Sequence, residues 1–427
     1  MQSKSVLFTI VLALLASAPQ TTFAAVTHAT VGLCAGPGTH YTKIQDAVNA
    51  VSSSPGAIIG VCPNSYAEQI MITSSLTLQG LSVGNNDAVV IIPPADGVAV
   101  NTTDQRGDVA AMVLVQGANP VTISNLTVDG TGNKYTSDDL RGILFQDATG
   151  TVNHVAVRNI VPNDTPTGDQ SGQGIMVETT NTSSASLTVE NCSVHNYNKN
   201  GIVGRYAGSV LNATGNYVQG NGPTSVIAQN GIEIAFNGAF GNIKNNNVID
   251  NYYIVVPPAP FDTASDILLY DAAQDASMMV IGNTVGNSNI PISLQTDTPG
   301  TYGDGVYVKN NKVYGSASNI TSPSVDGIDL CTNNNVATGN IIYNSSQSGI
   351  HLDTSCGVTV SSSQVTGNTF VESDCAGILQ DATAGSNTTS PNTYFDVPFK
   401  VASSTGSCTI PPGPSAAHAH AKAKPRP

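Results

Sequence analysis

Ile281-Gly282-Asn283-Thr284-Val285, Lys309-Asn310-Asn311-Lys312-Val313, Thr338-Gly339-Asn340-Ile341-Ile342 and Thr366-Gly367-Asn368-Thr369-Phe370 are four copies of one phrase. Their asparagines are spaced 311−283 = 28, 340−311 = 29 and 368−340 = 28 residues apart. Earlier copies centre on Asn125, Asn191, Asn216 and Asn246. A fixed period of this size marks a solenoid of stacked units. The flanks are short and β-branched, so each unit is built of strands rather than helix pairs. An asparagine at the same point of each turn suits a sharp bend, and its side chain can bond the backbone of the coils on either side. The phrase predicts an all-β chain: a single right-handed parallel β-helix of about ten coils.

A second phrase opens one strand of each coil, usually Gly-Ile followed by alternation. It stands at Gly142, Gly174, Gly201, Gly231, Gly327, Gly349 and Gly377, with Asp266-Ile267 and Pro291-Ile292 as variants. The gap 349−327 = 22 reads as a coil without insertion, whereas 174−142 = 32, 266−231 = 35 and 327−291 = 36 carry extra residues. These are expected as loops at 129–141, 162–173, 257–265 and 296–325, rich in Pro, Gly, Asp and Thr. Each enters the same strand from the same side, so stacking would wall a groove beside one sheet, where function usually sits.

Ahead of these coils, Thr42 followed by Gln45 has the capping-box form, and Ile44, Ala47, Val48 and Val51 recur at helical spacing. One helix of about three turns is expected to cap the open end of the solenoid. The first coil follows as 57–61, 68–72 and 76–78. Here Ile44-Gln45-Asp46-Ala47-Val48, Ile58-Ile59 and Tyr66-Ala67-Glu68-Gln69-Ile70 resemble the pectin-lyase-like superfamily of right-handed parallel β-helices, above all the N-terminal coil of pectin methylesterases. The resemblance covers about 40–390 and implies the fold. The chain has no Gly-His-Gly, Arg-Ile-Lys or Asp-Pro-His-Asp and no Trp, so the signatures of polygalacturonases, alginate epimerases and methylesterases are absent.

The rest of the chain bounds the surroundings. Lys4, an apolar run over 6–15 and small residues before Ala25 read as a signal peptide over 1–24, too short to span a bilayer. Residues 25–56 are read as lead-in and cap, 57–390 as the β-helix, 391–410 as a C-terminal cap segment and 411–427 as a disordered tail, in which a metal at His418 and His420 is disfavoured. An exported or cell-surface protein without a membrane span is expected. Seven cysteines suit an oxidising compartment. Cys34 is expected to pair with Cys62; Cys331, Cys356, Cys375 and Cys408 could pair in three ways; Cys192 reads as a buried small residue. No Cys/His spacing suggests a metal site. Net charge is −14, with 15 Lys and Arg against 29 Asp and Glu in 427 residues, which excludes nucleic acid as a partner. A neutral glycan, or an acidic one bridged by a cation, fits better. Composition does not decide whether calcium takes part. A monomer is expected.

Alternation fixes which residues leave the Gly-Ile strand on its outer side. One outward row reads Leu144, Met176, Val203, Glu233, Leu268, Ser293, Asp329, His351, Leu379; the next reads Gln146, Glu178, Arg205, Ala235, Tyr270, Gln295, Cys331, Asp353, Asp381. Asp329 and His351 would be direct neighbours, and Asp329 and Asp353 about 8 Å apart at ordinary strand spacing. That separation suits the two carboxyl groups of an inverting glycosidase, one protonating the leaving oxygen and one activating water. Asp329, His351 and Asp353 are therefore the expected catalytic residues. Glu178, Arg205, Glu233 and Tyr270 are expected to bind substrate. Arg205 would be the base if the chain were a polysaccharide lyase, although the Glu178–Arg205–Glu233 group also reads as an ordinary surface ion pair worth under about 1 kcal/mol. A non-catalytic glycan-binding or adhesive β-helix is the alternative to an enzyme.

Overall fold

A computed structural model describes residues 27–82, 84–136, 139–180, 184–254, 263–315 and 326–403. Its strands form three long sheets of 13, 12 and 13 members, within which neighbouring strands pair in parallel, with Thr102–Asp104 as an antiparallel addition outside them. The chain passes through the first, second and third sheet in turn, as in Met279–Ile281, Thr284–Gly286 and Ile292–Gln295. Inward residues of all three sheets merge into one apolar column running from Ala29 to Ile378. The expected signal peptide and the tail beyond 403, with His418 and His420, lie outside the described residues. Among the described residues no helix is long and apolar enough to cross a membrane.

The asparagine phrase marks the corner between the first and second sheets, and it is two motifs rather than one. From Asn216 onward the side chains form a continuous ladder. Asn216 Nδ2 donates to Asn246 Oδ1 at 2.9 Å, and the pattern repeats through Asn283, Asn311, Asn340, Asn368 and Asn392. Each amide also donates to a main-chain carbonyl of the previous coil, as Asn311 does to Val280. Asn125 and Asn191 are not in this ladder. They occupy the position one residue earlier, with φ of 56° and 54°, where Gly215, Gly282 and Gly339 have φ of 68°, 69° and 68°. Cys192 takes the ladder position instead and accepts no rung; its backbone N–H donates to Asn216 Oδ1 at 2.9 Å. The shared asparagine hid a one-residue shift, because the left-handed turn and the ladder both favour this side chain.

The Gly-Ile phrase marks the corner between the second and third sheets. A Cβ on Gly142 would stand 2.5 Å from the carbonyl oxygen of Gly174, and one on Gly327 2.7 Å from that of Gly349. Successive coils approach too closely there for any side chain on that side. Asp266 departs from the pattern: its buried carboxylate accepts from Asn251 Nδ2 at 2.9 Å and Gly286 N at 2.6 Å.

The helix is Ile44–Val51, eight residues rather than three turns, and buries Ile44, Ala47, Val48 and Val51 in the column. The expected capping box does not form. The carboxylate of Glu68, from the first coil, accepts from Ile44 N at 2.8 Å and Gln45 N at 3.0 Å. The Gln45 side chain is drawn away to the main chain of Met71. An acidic group at the N-terminus satisfies orphan donors and the helix dipole together. The first coil also holds a strand that the pattern did not show, Asn64–Ala67. The span 296–325 is not one loop, since Tyr307–Lys309 and Lys312–Tyr314 are strands within it. The loop expected at 257–265 lies largely outside the described residues.

Cys34 pairs with Cys62 and Cys331 with Cys356. Cys375 is disulfide-bonded too; Cys408 lies outside the described residues. Cys192 is free and buried, as expected, and its burial pushes the thiol up to about 12.

The ladder predicts an asymmetry measurable by urea unfolding. Asn311→Ala strands buried groups on both neighbouring coils and should cost about 2–4 kcal/mol. Asn191→Gly relieves a left-handed residue without breaking a rung and should change stability by less than about 1 kcal/mol.

Candidate functional site

The outward rows stack in the expected register. Leu144, Met176, Val203, Glu233, Leu268, Ser293, Asp329, His351 and Leu379 are successive partners. So are Gln146, Glu178, Arg205, Ala235, Tyr270 and Gln295. The second row then breaks. Cys331 is buried in the central column and bonded to Cys356, so it does not face the groove. A third outward row comes from the residue before each glycine: Arg141, Gln173, Asn200, Asn230 and Ser265 pair in register, and Asp326 and Ser348 hold the same place before Gly327 and Gly349. The sequence carried the signal, since seven of the nine phrases have a polar residue there. Reading the glycine as the start of the strand hides this row; in Leu140–Gln146 and Asn200–Arg205 the glycine is a bend inside the strand.

The rows do not line one open groove. Leu114, Leu144, Met176 and Val203 are fully buried with Val109 and Ala111 in an apolar cluster separate from the central column. Gly107–Gln116 is itself a strand of this sheet, and Thr102–Asp104 folds back antiparallel on its first residues, Gly107 to Val109, as a hairpin. Thr102 Oγ1 donates to Gln146 Oε1 at 2.6 Å, and Gln146 Nε2 donates to the Thr103 carbonyl at 2.9 Å. The hairpin thus crosses the face over the earlier coils.

Beyond it, Asp329, His351 and Asp353 come together. Their nearest donor atoms all lie within 4.8 Å of one another. The two carboxylates are therefore closer than the expected 8 Å, because Asp353 falls just past the end of Ser348–Leu352 and the chain there turns inward to Cys356. Burial, then the Asp353 charge, then Asp326 push the Asp329 carboxyl well above the usual carboxylate range, against the pull of His351. Asp329 Oδ2 accepts from Ser293 Oγ at 3.3 Å, and its buried Oδ1 has no hydrogen-bond partner among the described residues. Asp353 accepts at 2.7 Å from both the N–H and the hydroxyl of Ser355.

Two residues that sequence reasoning did not single out complete the centre. His351 Nδ1 lies 3.0 Å from Asp326 Oδ2, and Nε2 lies 3.2 Å from Asp381 Oδ1. Burial opposes the imidazolium, but Asp326, Asp381 and Asp353 outweigh it and raise the His351 pKa well above its ordinary value. Burial of Asp381 is likewise outweighed, by its bonds to His351 and Thr354, which hold it far below the usual range. With both ring nitrogens donating, His351 is a fixed cation between carboxylates and is not a free base. It could ligate a metal only by giving up one of those bonds; the carboxylates of Asp329 and Asp353 are the groups that could hold a cation.

Glu178, Arg205 and Glu233 also come together, but not as a surface ion pair: all three are buried. Arg205 Nη2 lies 3.6 Å from Glu233 Oε1 and donates to Asn200 Oδ1 at 3.2 Å. Burial, and then Asp104, push Glu178 up to about 7, against Arg141, Gln146 and Arg205. Tyr270 is buried beside them and donates its hydroxyl to Asp297.

Two titrations follow. In a histidine NMR titration His351 should stay protonated well past neutral pH, and Asp326→Asn should move its midpoint down. A Glu178 pKa of about 7 against an ordinary 4.5 means stability fully present below 4.5 and lost as pH rises to about 7. That loss is on the order of 2–3 kcal/mol, and Glu178→Gln should flatten the stability–pH curve in this window.

No protein-family model and no curated protein matches the chain. Solved structures do. The A-module of the mannuronan C-5 epimerase AlgE4 from Azotobacter vinelandii superposes with a TM-score of 0.50 at 17% identity, over 82% of this chain and 95% of that one. The DFA-IIIase of Arthrobacter chlorophenolicus, without its lid, gives 0.53 at 15% identity over 82% and 94%. The GH136 lacto-N-biosidase of Eubacterium ramulus gives 0.50 at 13% identity over 88% and 68%. At these identities the likeness speaks for architecture: the chain is a parallel β-helix with the pectin-lyase-like fold.

Proposed function

We propose that the chain is an exported glycoside hydrolase acting on polysaccharide, with its reaction centre at Asp329, Asp353 and His351. The observation that carries this reading is the unlike setting of two adjacent buried carboxyl groups. Burial and the Asp353 charge push the Asp329 carboxyl well above the usual range, and one of its oxygens has no hydrogen-bond partner among the described residues, whereas both oxygens of Asp353 accept from Ser355 at 2.7 Å. Carboxyl groups this close fall below the separation of an inverting pair and suit a retaining rather than an inverting reaction. Asp329 gives its proton to the glycosidic oxygen as the bond to the anomeric carbon breaks. Asp353 attacks that carbon to form a glycosyl ester. Water, losing a proton to the Asp329 carboxylate, then displaces Asp353. His351, fixed by Asp326 and Asp381, is the cation that offsets charge as Asp329 ionises.

The matched structures include proteins named for action on sugars, a mannuronan epimerase, a DFA-IIIase and a lacto-N-biosidase, which supports a carbohydrate substrate. Disulfides support an oxidising compartment. The helix Ile44–Val51 is read as the cap of the apolar column. A non-catalytic glycan binder would share the fold but would have no reason to bury two carboxyl groups this close together.

The test is release of reducing sugars from a panel of neutral plant and microbial glycans. Asp329→Asn and Asp353→Asn should each lower the rate by about 10²–10⁴, and NMR of the first product should show a retained anomeric configuration. Wild-type protein that binds a glycan without cleaving any would overturn the enzyme; an inverted product would overturn the role given to Asp353.

A further inference from the structure

The corner between the first and second sheets carries an outer face unlike the rest of this acidic chain. There the stretches 242–249, 279–286, 307–314, 336–343 and 364–371 stack coil on coil. They hold three lysines and no Asp or Glu, in a protein with 29 acids and a net charge of −14. Lys244, Ile281 and Lys309 are successive partners in one outward row, and Met279 pairs with Tyr307 in another. Lys312 follows just across the corner, past the asparagine rung Asn311. Among the described residues none of the three lysines makes an ion pair or a side-chain hydrogen bond. Asp275, next to this face, spends its Oδ1 on the N–H and hydroxyl of Ser277, each at 2.8 Å. Ala276, Met279, Ile281, Tyr307 and Lys309 line a surface depression of about 230 Å³. Tyr307 and Lys309 are both exposed at it. Around the corner, the exposed Tyr314 ring stacks on Tyr343 at 5.0 Å.

We propose that this depression binds one carboxylate-bearing ring of an acidic polysaccharide and so anchors the protein to that polymer away from the reaction centre. Its volume falls below the ~300–1,000 Å³ of larger ligand clefts, which suits a single ring. Met279, Ile281 and the Tyr307 ring supply apolar surface for the C–H face of a sugar. Lys309 supplies a positive charge and three donors for the carboxylate and its neighbouring hydroxyls. Lys244 stands two rungs along the same row, roughly 10 Å at strand spacing. A polymer with a carboxylate on every ring, laid along the helix axis, meets both cations. A neutral glycan leaves the lysines unused, and a metal ion finds no anionic ligand in these stretches. A second copy docking by the same face would set lysine against lysine. Tyr307 and Asp329 leave the apolar column through different sheets, since their neighbours Val308 and Leu330 both point into it. Binding here therefore needs no cleavage at Asp329.

The test is affinity electrophoresis of the full chain through gels containing alginate, polygalacturonate, neutral galactan or neutral mannan. A chelator is present throughout, so that no cation bridges an acidic polymer to the acidic remainder of the protein. Alginate or polygalacturonate should slow the wild-type protein, and the neutral polymers should not. Tyr307→Ala and Lys309→Gln should each weaken that binding about threefold or more. Lys309→Arg should keep it, and roughly 0.5 M salt should abolish it. Both positions are exposed, and circular dichroism checks that each variant folds. Asp329→Asn should be slowed as the wild type is; loss of binding there would move the polymer to the reaction centre and overturn the site. Free passage through both acidic polymers, undiminished slowing of the two folded variants, or equal slowing by the neutral polymers also overturns it. So does a wild-type dimer in sedimentation that Tyr307→Ala dissociates, which would give this face to a second copy of the chain.

Discussion

At the Gly-Ile corner the main chain of one coil lies so near the next that a Cβ on either glycine would collide with a carbonyl oxygen. Everything functional in this chain depends on that contact. It locks each third-sheet strand at one height and one register, so residues 22 or 36 apart in sequence become neighbours on the outer face. It also bends the strand, and the bend turns the residue before the glycine outward. Asp326 reaches His351 only because of it.

The face built this way is not a surface. Arg141, Glu178, Arg205, Glu233, Asp329 and Asp353 are all buried. Charges out of water are costly unless paired, and pairing here is incomplete. The chain meets the cost in two ways. Some groups change state, as Glu178 and Asp329 do by holding their protons more tightly. Others become fixed ions in hydrogen-bonded strings, as Asp326, His351 and Asp381 do. A scaffold with one apolar column from end to end can carry such local strain, because each coil is supported by its neighbours on both sides.

The hairpin and the disulfides divide the face. Over the earlier coils the outward middle row is apolar and covered by the hairpin; from Glu233 onward it carries polar residues, interrupted by Leu268 and ended by Leu379. The Cys331–Cys356 bond closes the loop that carries Asp353 and turns Cys331 inward, ending the second row one coil before the centre. The asparagine ladder shows the same economy on another corner. From Asn216 to Asn368 the turn residue before each rung is glycine or asparagine, whereas at Cys192 a thiol fills the ladder place and the turn asparagine alone remains.

Period and alternation were enough to read the solenoid, its parallel pairing and the outward rows, because strand geometry admits only two faces and stacking repeats them. The same reading brought Asp329 beside His351 and Glu178 beside Arg205. It could not see depth. Whether an outward residue meets water depends on what lies across it, and the hairpin that covers the early coils comes from a different part of the chain. Nor could it see the bend at each glycine, and so it passed over Asp326; nor the turn after Leu352, which sets Asp353 nearer Asp329 than a straight strand would. Identity along a repeat is local and is written in the sequence. Burial, protonation and the distance between two carboxylates are properties of packing, and only the folded chain decides them.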